Sequence, residues 1–341
     1  MAIDPRASFL IIRRDNIGDL VCTTPLISAL RRRYPQAHIA ALVNTYNRQA
    51  LEGHPDLDAV HAYAKAKHRR AGQSRISIYW DTFQLIQRLR AQRFDYALLA
   101  SPHPGANALR LARWIAPRRI AGYAEPSGRV DLALPHGIAE AMHEVENVFR
   151  LAHLFGIEGA PGKLSLAVDP AALAQARAAV LASGLRGKLI AVHVSARKPS
   201  QRWPAERFVE LMRGLETGAG FLLLWSPGPA DHPQHPGDDE KAQAILRAAP
   251  ELPILAYPTQ ELRQLTAALS LADCVICSDG GAMHLAAGLG KPILCFFGDS
   301  DAARWHPWGV PYQLLQTPGR SAAEISVAAA LQALRVLPHS N

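Results

Sequence analysis

The sequence predicts an α/β protein built of two doubly wound parallel-sheet domains. Apolar strand patterns alternate with amphipathic helices along most of the chain, which is the order that βαβ units produce. The alternation stops near residues 160–185 and starts again at LIAVHV, residues 189–194. A chain of 341 residues is long enough for two cores of ordinary size. We therefore predict an N-terminal Rossmann-like domain over residues 1–170 and a C-terminal one over residues 171–341.

Each element follows from the spacing of apolar residues. In the N-terminal half the predicted strands are FLIIR (9–13), HIAALV (38–43) and YALLA (96–100), and the predicted helices cover 24–34 and 107–115. In the C-terminal half the strands after LIAVHV are FLLLW (221–225), CVIC (274–277) and ILCFF (293–297), and the helices cover 204–216, 240–249, 260–271, 281–290 and 321–336. Residues 226–238 are so rich in proline and glycine that they predict an irregular loop.

Composition narrows the class of protein. Hydrophobic residues make up 49% and charged residues 19%, as in globular proteins. No leader-like N-terminus and no run of about 18 apolar residues is present, so we expect a cytoplasmic protein. The four cysteines, Cys22, Cys274, Cys277 and Cys295, are expected to be reduced and buried. Cys274 and Cys277 form a lone CxxC without clustered histidines, so we expect no metal site there.

The positive charge is concentrated in the N-terminal half. The net charge is +8, and residues 1–160 hold 21 Lys and Arg against 14 Asp and Glu. A basic N-terminal half is compatible with binding to nucleic acid, to an anionic membrane surface or to a phosphorylated substrate, and equally with a basic surface that binds no partner. Because no basic and aromatic residues interleave as in RNA-binding motifs, we expect no nucleic-acid partner.

Candidate site residues come directly after predicted strands, where ligands bind in doubly wound sheets. After the first strand, RRDNIGDLVCTTP places Asp19 behind Gly18, which permits a tight turn. The Asp19 carboxylate could act as a general base, or it could cap a helix. The segment SARKPSQRWP offers Ser195, Lys198 and Arg202, which could hold a diphosphate or form a solvated basic loop.

In the segment SDGGAMHLAAGLGKP, an acidic residue and two glycines separate a predicted apolar strand from the predicted helix that follows it. Asp279, Gly280 and Gly281 lie between them, and the glycines would let a phosphate approach the backbone N–H groups of the helix. Asp279 would repel a diphosphate, so it would bind a sugar hydroxyl, cap the helix or orient His284. The loop FFGDSDAARWHPWG could close over a nucleotide or sugar, and Trp305 and Trp308 are expected to be packing residues.

Together these stretches resemble glycosyltransferase family 9, the heptosyltransferases of lipopolysaccharide core assembly. The segment IIRRDNIGDLVCTTPLISALRRRYPQAHIAALV is similar to the opening of the family, and ADCVICSDGGAMHLAAGLGKPILCFFGDSDAARWHPWG to its C-terminal pattern. The resemblance implies a GT-B fold, two Rossmann-like domains facing across a cleft. It also implies an acceptor-binding N-terminal domain, a donor-binding C-terminal domain, and inverting transfer without a metal or other cofactor, with ADP-heptose as the expected co-substrate.

The resemblance assigns roles residue by residue. Asp19 takes the place of the catalytic base, and Asp279 and His284 take those of the donor-site acid and histidine. Three positions depart from the pattern or match it loosely. Gln201 stands where the family often has a phosphate-binding lysine, Gly280 replaces a threonine or serine, and Glu240 is the nearest equivalent of a donor-binding acid after FLLLW.

The resemblance also implies an acceptor, a lipid A–core or another glycan, at an anionic inner-membrane surface. Residues 64–75, AKAKHRRAGQSR, would make the contact through Lys67, Arg69 and Arg70. Two alternatives stay open: a family transferase with another nucleotide sugar or glycan acceptor, and a sugar-nucleotide-binding module without turnover.

Overall fold

The computed structural model describes residues 3–64, 75–102, 105–124, 130–135, 142–215, 218–230 and 237–337. The chain divides into two compact units, Met1–Ala167 and Val168–Asn341. Each unit is an α/β domain with a six-stranded, all-parallel sheet. No helix among these described residues is long and apolar enough to span a bilayer.

The strands of the first unit are β1 (Ser8–Ile12), β2 (His38–Asn44), β3 (Ala59–Tyr63), β4 (Tyr96–Leu99), β5 (Arg119–Tyr123) and β6 (Leu132–Leu134). They lie in the order β3-β2-β1-β4-β5-β6. The helices are α1 (Ile17–Val21), α2 (Thr24–Arg33), α3 (Arg75–Ala91), α4 (Gly105–Ile115) and α5 (Glu144–Phe149). This is the doubly wound order, in which the direction of winding reverses between β1 and β4.

The second unit repeats the plan. Its strands are β7 (Leu189–His193), β8 (Gly220–Trp225), β9 (Ile254–Pro258), β10 (Cys274–Ser278), β11 (Ile293–Phe297) and β12 (Tyr312–Gln316). Their order, β12-β11-β10-β7-β8-β9, reverses between β7 and β10. The helices are α6 (Pro170–Ala182), α7 (Ala205–Gly214), α8 (Asp239–Ala248), α9 (Leu262–Leu271), α10 (Gly281–Gly288), α11 (Ala302–Trp305) and α12 (Val327–Val336).

The central strands are mostly apolar because helices cover both faces of each sheet. Every residue of β7, β8, β10 and β11 is buried. The four cysteines are free and buried, three of them in β10 and β11. Burial raises the pKa of the Cys274 thiol to about 11.

Two sequence expectations need correction. Gly18 lies inside the short helix α1 instead of forming a tight turn, because Asn16 and Asp19 cap a helical turn there. The last helix begins at Val327, not at residue 321. Residues Ala322–Glu324 form a separate 3₁₀ turn, and the Ser326 hydroxyl then accepts a hydrogen bond from the Ala329 N–H at 3.2 Å, which starts the helix.

Candidate functional site

The switch point of the first sheet is organised by a buried arginine. Arg13 directly follows β1, and only 2% of its surface is exposed. Its Nη2 donates to Asp19 Oδ1 at 2.7 Å and to Glu144 Oε1 at 2.7 Å. Its Nη1 donates to the carbonyl of Ala100, the residue after β4, and its Nε lies 3.1 Å from Asp15 Oδ2. The guanidinium therefore joins the ends of β1 and β4 to α1 and α5.

The Asp19 carboxylate is held from two sides. Oδ1 accepts from Arg13, while Oδ2 accepts from the backbone N–H and the side-chain amide of Asn16, each at 3.1 Å. The second set of contacts is the capping arrangement at the start of α1. Asp19 therefore performs the structural role anticipated as the alternative to catalysis. Its side chain nevertheless keeps 14% exposure, so it is not sealed from solvent.

Charge fixes the ionisation of both partners. Burial alone would raise the pKa of Asp19, but the charge and hydrogen bond of Arg13, with those from Asn16, hold this pKa below its usual value. Burial would lower the pKa of Arg13, but the carboxylates of Asp19, Glu144 and Asp15 raise it above its usual value. Asp19 is therefore an ionised, oriented hydrogen-bond acceptor throughout the neutral pH range.

Arg13 and Glu144 are site residues that sequence reasoning missed. Glu144 is completely buried and lies 131 positions from Arg13 in the chain. A buried carboxylate needs a cationic partner, but no local pattern identifies that partner. The one available signal was RRD directly after an apolar strand, where charged residues are unusual unless they point into a site.

At the switch point of the second sheet, the predicted site residues Asp279 and Gln201 form a hydrogen-bonded pair. Asp279 follows β10 and is 8% exposed, and its Oδ2 accepts from Gln201 Nε2 at 2.6 Å. The same amide nitrogen donates to Ser300 Oγ at 3.1 Å. Gln201 is thus a buried partner of the carboxylate.

Helix α10 begins directly after this carboxylate. Gly280, its N-cap, has φ +153°, a conformation that residues with a Cβ rarely adopt. Apart from the adjacent residues of the chain, no described atom lies within 4 Å of the position that a Cβ on Gly280 would occupy, so a ligand group has room there. Gly281 is the first helical residue, and His284, 3% exposed, packs edge-on against Trp305 with 6.0 Å between ring centroids.

The loops around Asp279 are tied to one another at the carboxyl edge of the sheet. The Ser195 hydroxyl, after β7, accepts from the Ser226 N–H, after β8, at 2.9 Å. Lys198 Nζ donates to Asp299 Oδ1, after β11, at 3.1 Å, and both side chains are about half exposed. Ser200 Oγ donates to the same Asp299 oxygen at 2.8 Å. Sequence reasoning placed Ser195 and Lys198 at this edge but missed Asp299 as a partner.

Arg202 and Glu240 line a common cavity of about 310 Å³ between the loop after β7 and the start of α8. Arg202 Nε donates to the carbonyl of Ala196 at 3.1 Å. The neighbouring Asp239 carboxylate accepts from Trp225 Nε1 at 2.7 Å and from the Gly228 N–H at 2.9 Å. Asp239 therefore ties the start of α8 to Trp225 and Gly228, while Glu240 lines the cavity.

Lys241, which lines this cavity and is partly buried, and the buried His193 form a basic pair that sequence reasoning missed. Lys241 Nζ donates to the carbonyl of Val194 at 2.9 Å and lies 5.0 Å from the centroid of the Phe208 ring. Burial lowers the pKa of Lys241 to about 8, against the opposing effect of Asp238. Burial, with the charge of Lys241, lowers the pKa of His193 to about 4. His193 is therefore neutral at physiological pH.

The remaining predicted residues are placed as follows. Lys67, Arg69 and Arg70 lie outside the described residues. Across the part of the chain that the structure describes, no group of three or more His, Cys, Asp or Glu side chains has an arrangement that could hold a metal ion.

Comparison with known proteins gives the family. The model of glycosyltransferase family 9 (heptosyltransferase) matches residues 82–331, more than half of the chain. Lipopolysaccharide heptosyltransferase 3 of Escherichia coli is 24% identical over 294 residues, which cover 85% of this chain and 83% of the relative. Lipopolysaccharide heptosyltransferase 1 of E. coli strain K12 is 23% identical over 338 residues, covering 96% and 99%.

Solved structures show the same fold. A family 9 glycosyl transferase from Veillonella parvula DSM 2008 superposes with a TM-score of 0.81 at 19% identity, over 98% of both chains. E. coli heptosyltransferase WaaC with ADP-2-deoxy-2-fluoro heptose gives 0.75 at 21% identity, over 96% of this chain and 99% of the other. The chain therefore has the GT-B fold that its sequence predicts, with two Rossmann-like domains, and it belongs to glycosyltransferase family 9, the heptosyltransferase family.

Proposed function

We propose that this glycosyltransferase is an inverting, metal-independent enzyme that transfers heptose from ADP-heptose to the inner core of lipopolysaccharide. The observation that carries the proposal is the start of α10 at the switch point of the second sheet. There the Asp279 carboxylate, an open Gly280 backbone and a helix N-terminus adjoin one another. A helix N-terminus favours phosphate, and a neighbouring carboxylate suits sugar hydroxyls.

The proposed donor rests on the relatives together with these residues. WaaC, which shares the fold, has been solved with an ADP-heptose analogue, and curated relatives are lipopolysaccharide heptosyltransferases. In this chain the second unit would bind the nucleotide sugar through Asp279, Gly280, Gly281 and His284. Ser195, Lys198 and Arg202 follow β7 at the same edge of the sheet, Glu240 lies in the first turn of α8, and Gln201 acts by holding Asp279.

The proposed reaction is a single displacement. Asp19 accepts the proton of an acceptor hydroxyl while that oxygen attacks the anomeric carbon of the donor. The bond between the anomeric carbon and the diphosphate oxygen breaks, and ADP leaves with the electron pair. Arg202, Lys198 and the N–H groups at the start of α10 would stabilise the departing charge. Positioning and electrostatics then provide most of the acceleration, and the base contributes about 10²- to 10⁴-fold.

The proposed acceptor side lies in the first unit. The inner core of lipopolysaccharide carries anionic groups at a membrane surface, and the N-terminal half supplies the excess of positive charge. Lys67, Arg69 and Arg70 would contact the acceptor or the membrane. Reversing these three charges should weaken acceptor binding in a salt-sensitive way, and unchanged affinity at low salt would argue against the assignment.

Nucleotide binding tests the donor directly. The purified protein would be titrated with ADP, UDP, GDP and ADP-heptose in the presence of EDTA, by calorimetry and thermal shift. We expect binding and stabilisation in the ADP series alone, unaffected by the chelator. Preference for UDP or GDP would replace heptose by another nucleotide sugar. Binding to none of them would contradict the donor site and favour a module without turnover.

A further inference from the structure

Glu144 is a buried acid that the proposed mechanism does not use. It is the first residue of α5, and its Oε1 accepts from Arg13 Nη2 at 2.7 Å. The same nitrogen donates to Asp19 Oδ1 at 2.7 Å. Because Nη2 carries two hydrogens, each carboxylate can take one of them. A single nitrogen of the guanidinium therefore joins the buried acid to the proposed base.

The cluster around Arg13 holds more negative than positive charge. Among the described side chains, this one guanidinium pairs with three carboxylates, those of Asp15, Asp19 and Glu144. Asp15 is well solvated, whereas Glu144 is sealed from water. Desolvating a second carboxylate costs free energy, and a neutral residue of the same size would keep the hydrogen bond to Nη2 without that cost. Packing alone therefore does not account for the charge of Glu144.

Three other titratable side chains around the cluster are neutral at physiological pH. Burial raises the pKa of the Cys22 thiol, directly after α1, and the nearby carboxylates add to this rise. Burial raises the pKa of Tyr123, in β5, to about 12, against the opposing charge of Arg150. His143 caps α5 through its Nδ1, which accepts from the Val145 N–H at 3.1 Å and so carries no proton. The charge next to the proposed base is therefore set by the guanidinium and its carboxylates.

The hydrogen bonds of Asp19 determine which of its oxygens can meet a substrate. Oδ2 accepts from the backbone N–H and from the side-chain amide of Asn16, which occupies both of its lone-pair sites. Oδ1 accepts from Arg13, which occupies one site, and the side chain keeps contact with solvent. A proton from an acceptor hydroxyl would therefore arrive at Oδ1, the oxygen that Arg13 holds. A change of charge on the far side of Arg13 would act on that oxygen.

We propose that Glu144 is a positioning residue that acts on Asp19 through Arg13, sharing the guanidinium so that the cation does not neutralise the base alone. This inference rests on the proposed function, in which Asp19 accepts the proton. The two carboxylate oxygens each lie 2.7 Å from Nη2, so they are no further apart than twice that distance. At such a separation the charge of Glu144 opposes the effect of Arg13 on Asp19. Without it the pKa of Asp19 would fall further, and Oδ1 would be a weaker base.

The test is Glu144→Gln, which keeps the length of the side chain and an oxygen that accepts from Nη2 but removes the charge. We expect kcat for heptose transfer to fall about tenfold, because a weaker base accepts the proton less readily. The KM for the donor should not change, since the proposed donor site lies in the second unit. The acid limb of the profile of kcat against pH should move to lower pH. Glu144→Asp restores a carboxylate and should keep more turnover than Glu144→Gln.

The matched control is Glu146→Gln, on the same helix. Glu146 Oε2 accepts from the His143 N–H at 3.0 Å, and glutamine serves as well as glutamate at this capping position. This variant should therefore keep the turnover and the stability of the wild type.

The titration of Asp19 gives a second readout that does not depend on activity. In ¹³C NMR of protein labelled at the aspartate carboxyl carbons, the signal that Asp19→Asn lacks identifies Asp19. This signal should titrate at lower pH in Glu144→Gln than in the wild type. An unchanged titration, or a Glu144→Asp enzyme as slow as Glu144→Gln, would overturn the proposal. So would a Glu144→Gln protein that does not fold, because the charge would then be required by the fold.

The two readouts together separate this inference from the proposed function. A wild-type protein that transfers no heptose, with an Asp19 signal that Glu144→Gln shifts to lower pH, would refute the proposed function and leave the coupling between the two acids intact. Transfer that Asp19→Asn abolishes, with turnover and titration that Glu144→Gln leaves unchanged, would refute this inference alone.

Discussion

The Asp19→Asn substitution separates the catalytic role of this residue from its structural one. Asparagine keeps the size of the side chain but removes its charge and its capacity as a base. Its oxygen can still accept from Arg13 or from Asn16, but not as a charged partner of both. Arg13 keeps its bonds to Glu144 and to the carbonyl of Ala100, so the buried cation is not left unpaired.

The two roles predict losses of different size. Weakening a cap and one charge-assisted hydrogen bond should cost about 1–2 kcal/mol of unfolding free energy. That cost corresponds to a fall of roughly 2–4 °C in Tm per kcal/mol for domains of this size. Removing the base should lower kcat by about 10²- to 10⁴-fold. A folded protein with little turnover is therefore expected.

The measurements are urea unfolding and single-turnover release of ADP, with Asp58→Asn as the control. Asp58 is also bound from two sides, by Arg31 Nη2 at 2.6 Å and the Ile39 N–H at 2.7 Å, but its side chain is 41% exposed. Partial desolvation would raise the pKa of Asp58, and these contacts hold it below the usual value. It precedes β3, at the end of the sheet opposite to Asp19. Asp58→Asn should lose less stability than Asp19→Asn, because its ion pair is more exposed, and it should keep wild-type turnover. A folded Asp19→Asn enzyme with turnover within threefold of wild type would refute the catalytic assignment.

The remaining predictions concern the second unit. Gln201→Ala should raise the KM for the donor about tenfold, because it releases Asp279. In a double-mutant cycle with Asp279→Asn, the effects of the two substitutions on KM should be less than additive. Full additivity would show that Gln201 acts elsewhere. Lys241, with a pKa of about 8 when folded and 10.5 when unfolded, loses its proton first in the folded state. The unfolding free energy of the wild type should therefore rise by about 3 kcal/mol relative to Lys241→Met between pH 8 and 10.5, and a flat difference would contradict the burial. Gly280→Ala should cost about 1–3 kcal/mol in thermal or urea unfolding because of its positive φ, and an unchanged stability would show that the backbone there relaxes freely.

The pH dependence of the unfolding free energy also tests the ion pair between Arg13 and Asp19. A carboxylate with a depressed folded pKa stabilises the protein above its unfolded pKa and loses this contribution as pH falls through the folded value. The difference in unfolding free energy between wild type and Asp19→Asn should therefore shrink below about pH 4. A difference that stayed constant down to pH 2 would mean that Arg13 and Asp19 are not coupled.

The central strands were predictable because the fold buries both of their faces. FLIIR, LIAVHV, CVIC and ILCFF are almost entirely apolar, and each coincides with a buried central strand to within one residue. The sequence does not predict β5 or the four edge strands β3, β6, β9 and β12. The edge strands are half-exposed, as in the pattern of Ile254–Pro258, so their polar and small residues conceal the strand signal.

Only those site residues that a local sequence pattern marks could be predicted. Asp19 and Asp279 stood out because each lies in the connection or helix that follows a strand of a doubly wound sheet, at the edge where ligands bind. Their partners did not, since Arg13 and Glu144 are 131 positions apart and Gln201 and Asp279 are 78 apart. Tertiary packing brings such pairs together, and the periodicity of the sequence does not predict them.

The proposed activity is tested most directly by the mass of the acceptor. Wild-type protein and Asp19→Asn would each be incubated with ADP-heptose and a lipid A acceptor carrying Kdo, in the presence of EDTA, and the glycolipid analysed by mass spectrometry. The account predicts that the acceptor gains one heptosyl residue with the wild type and almost none with the variant. An acceptor unchanged by the wild type, with the nucleotide sugar intact, would contradict it.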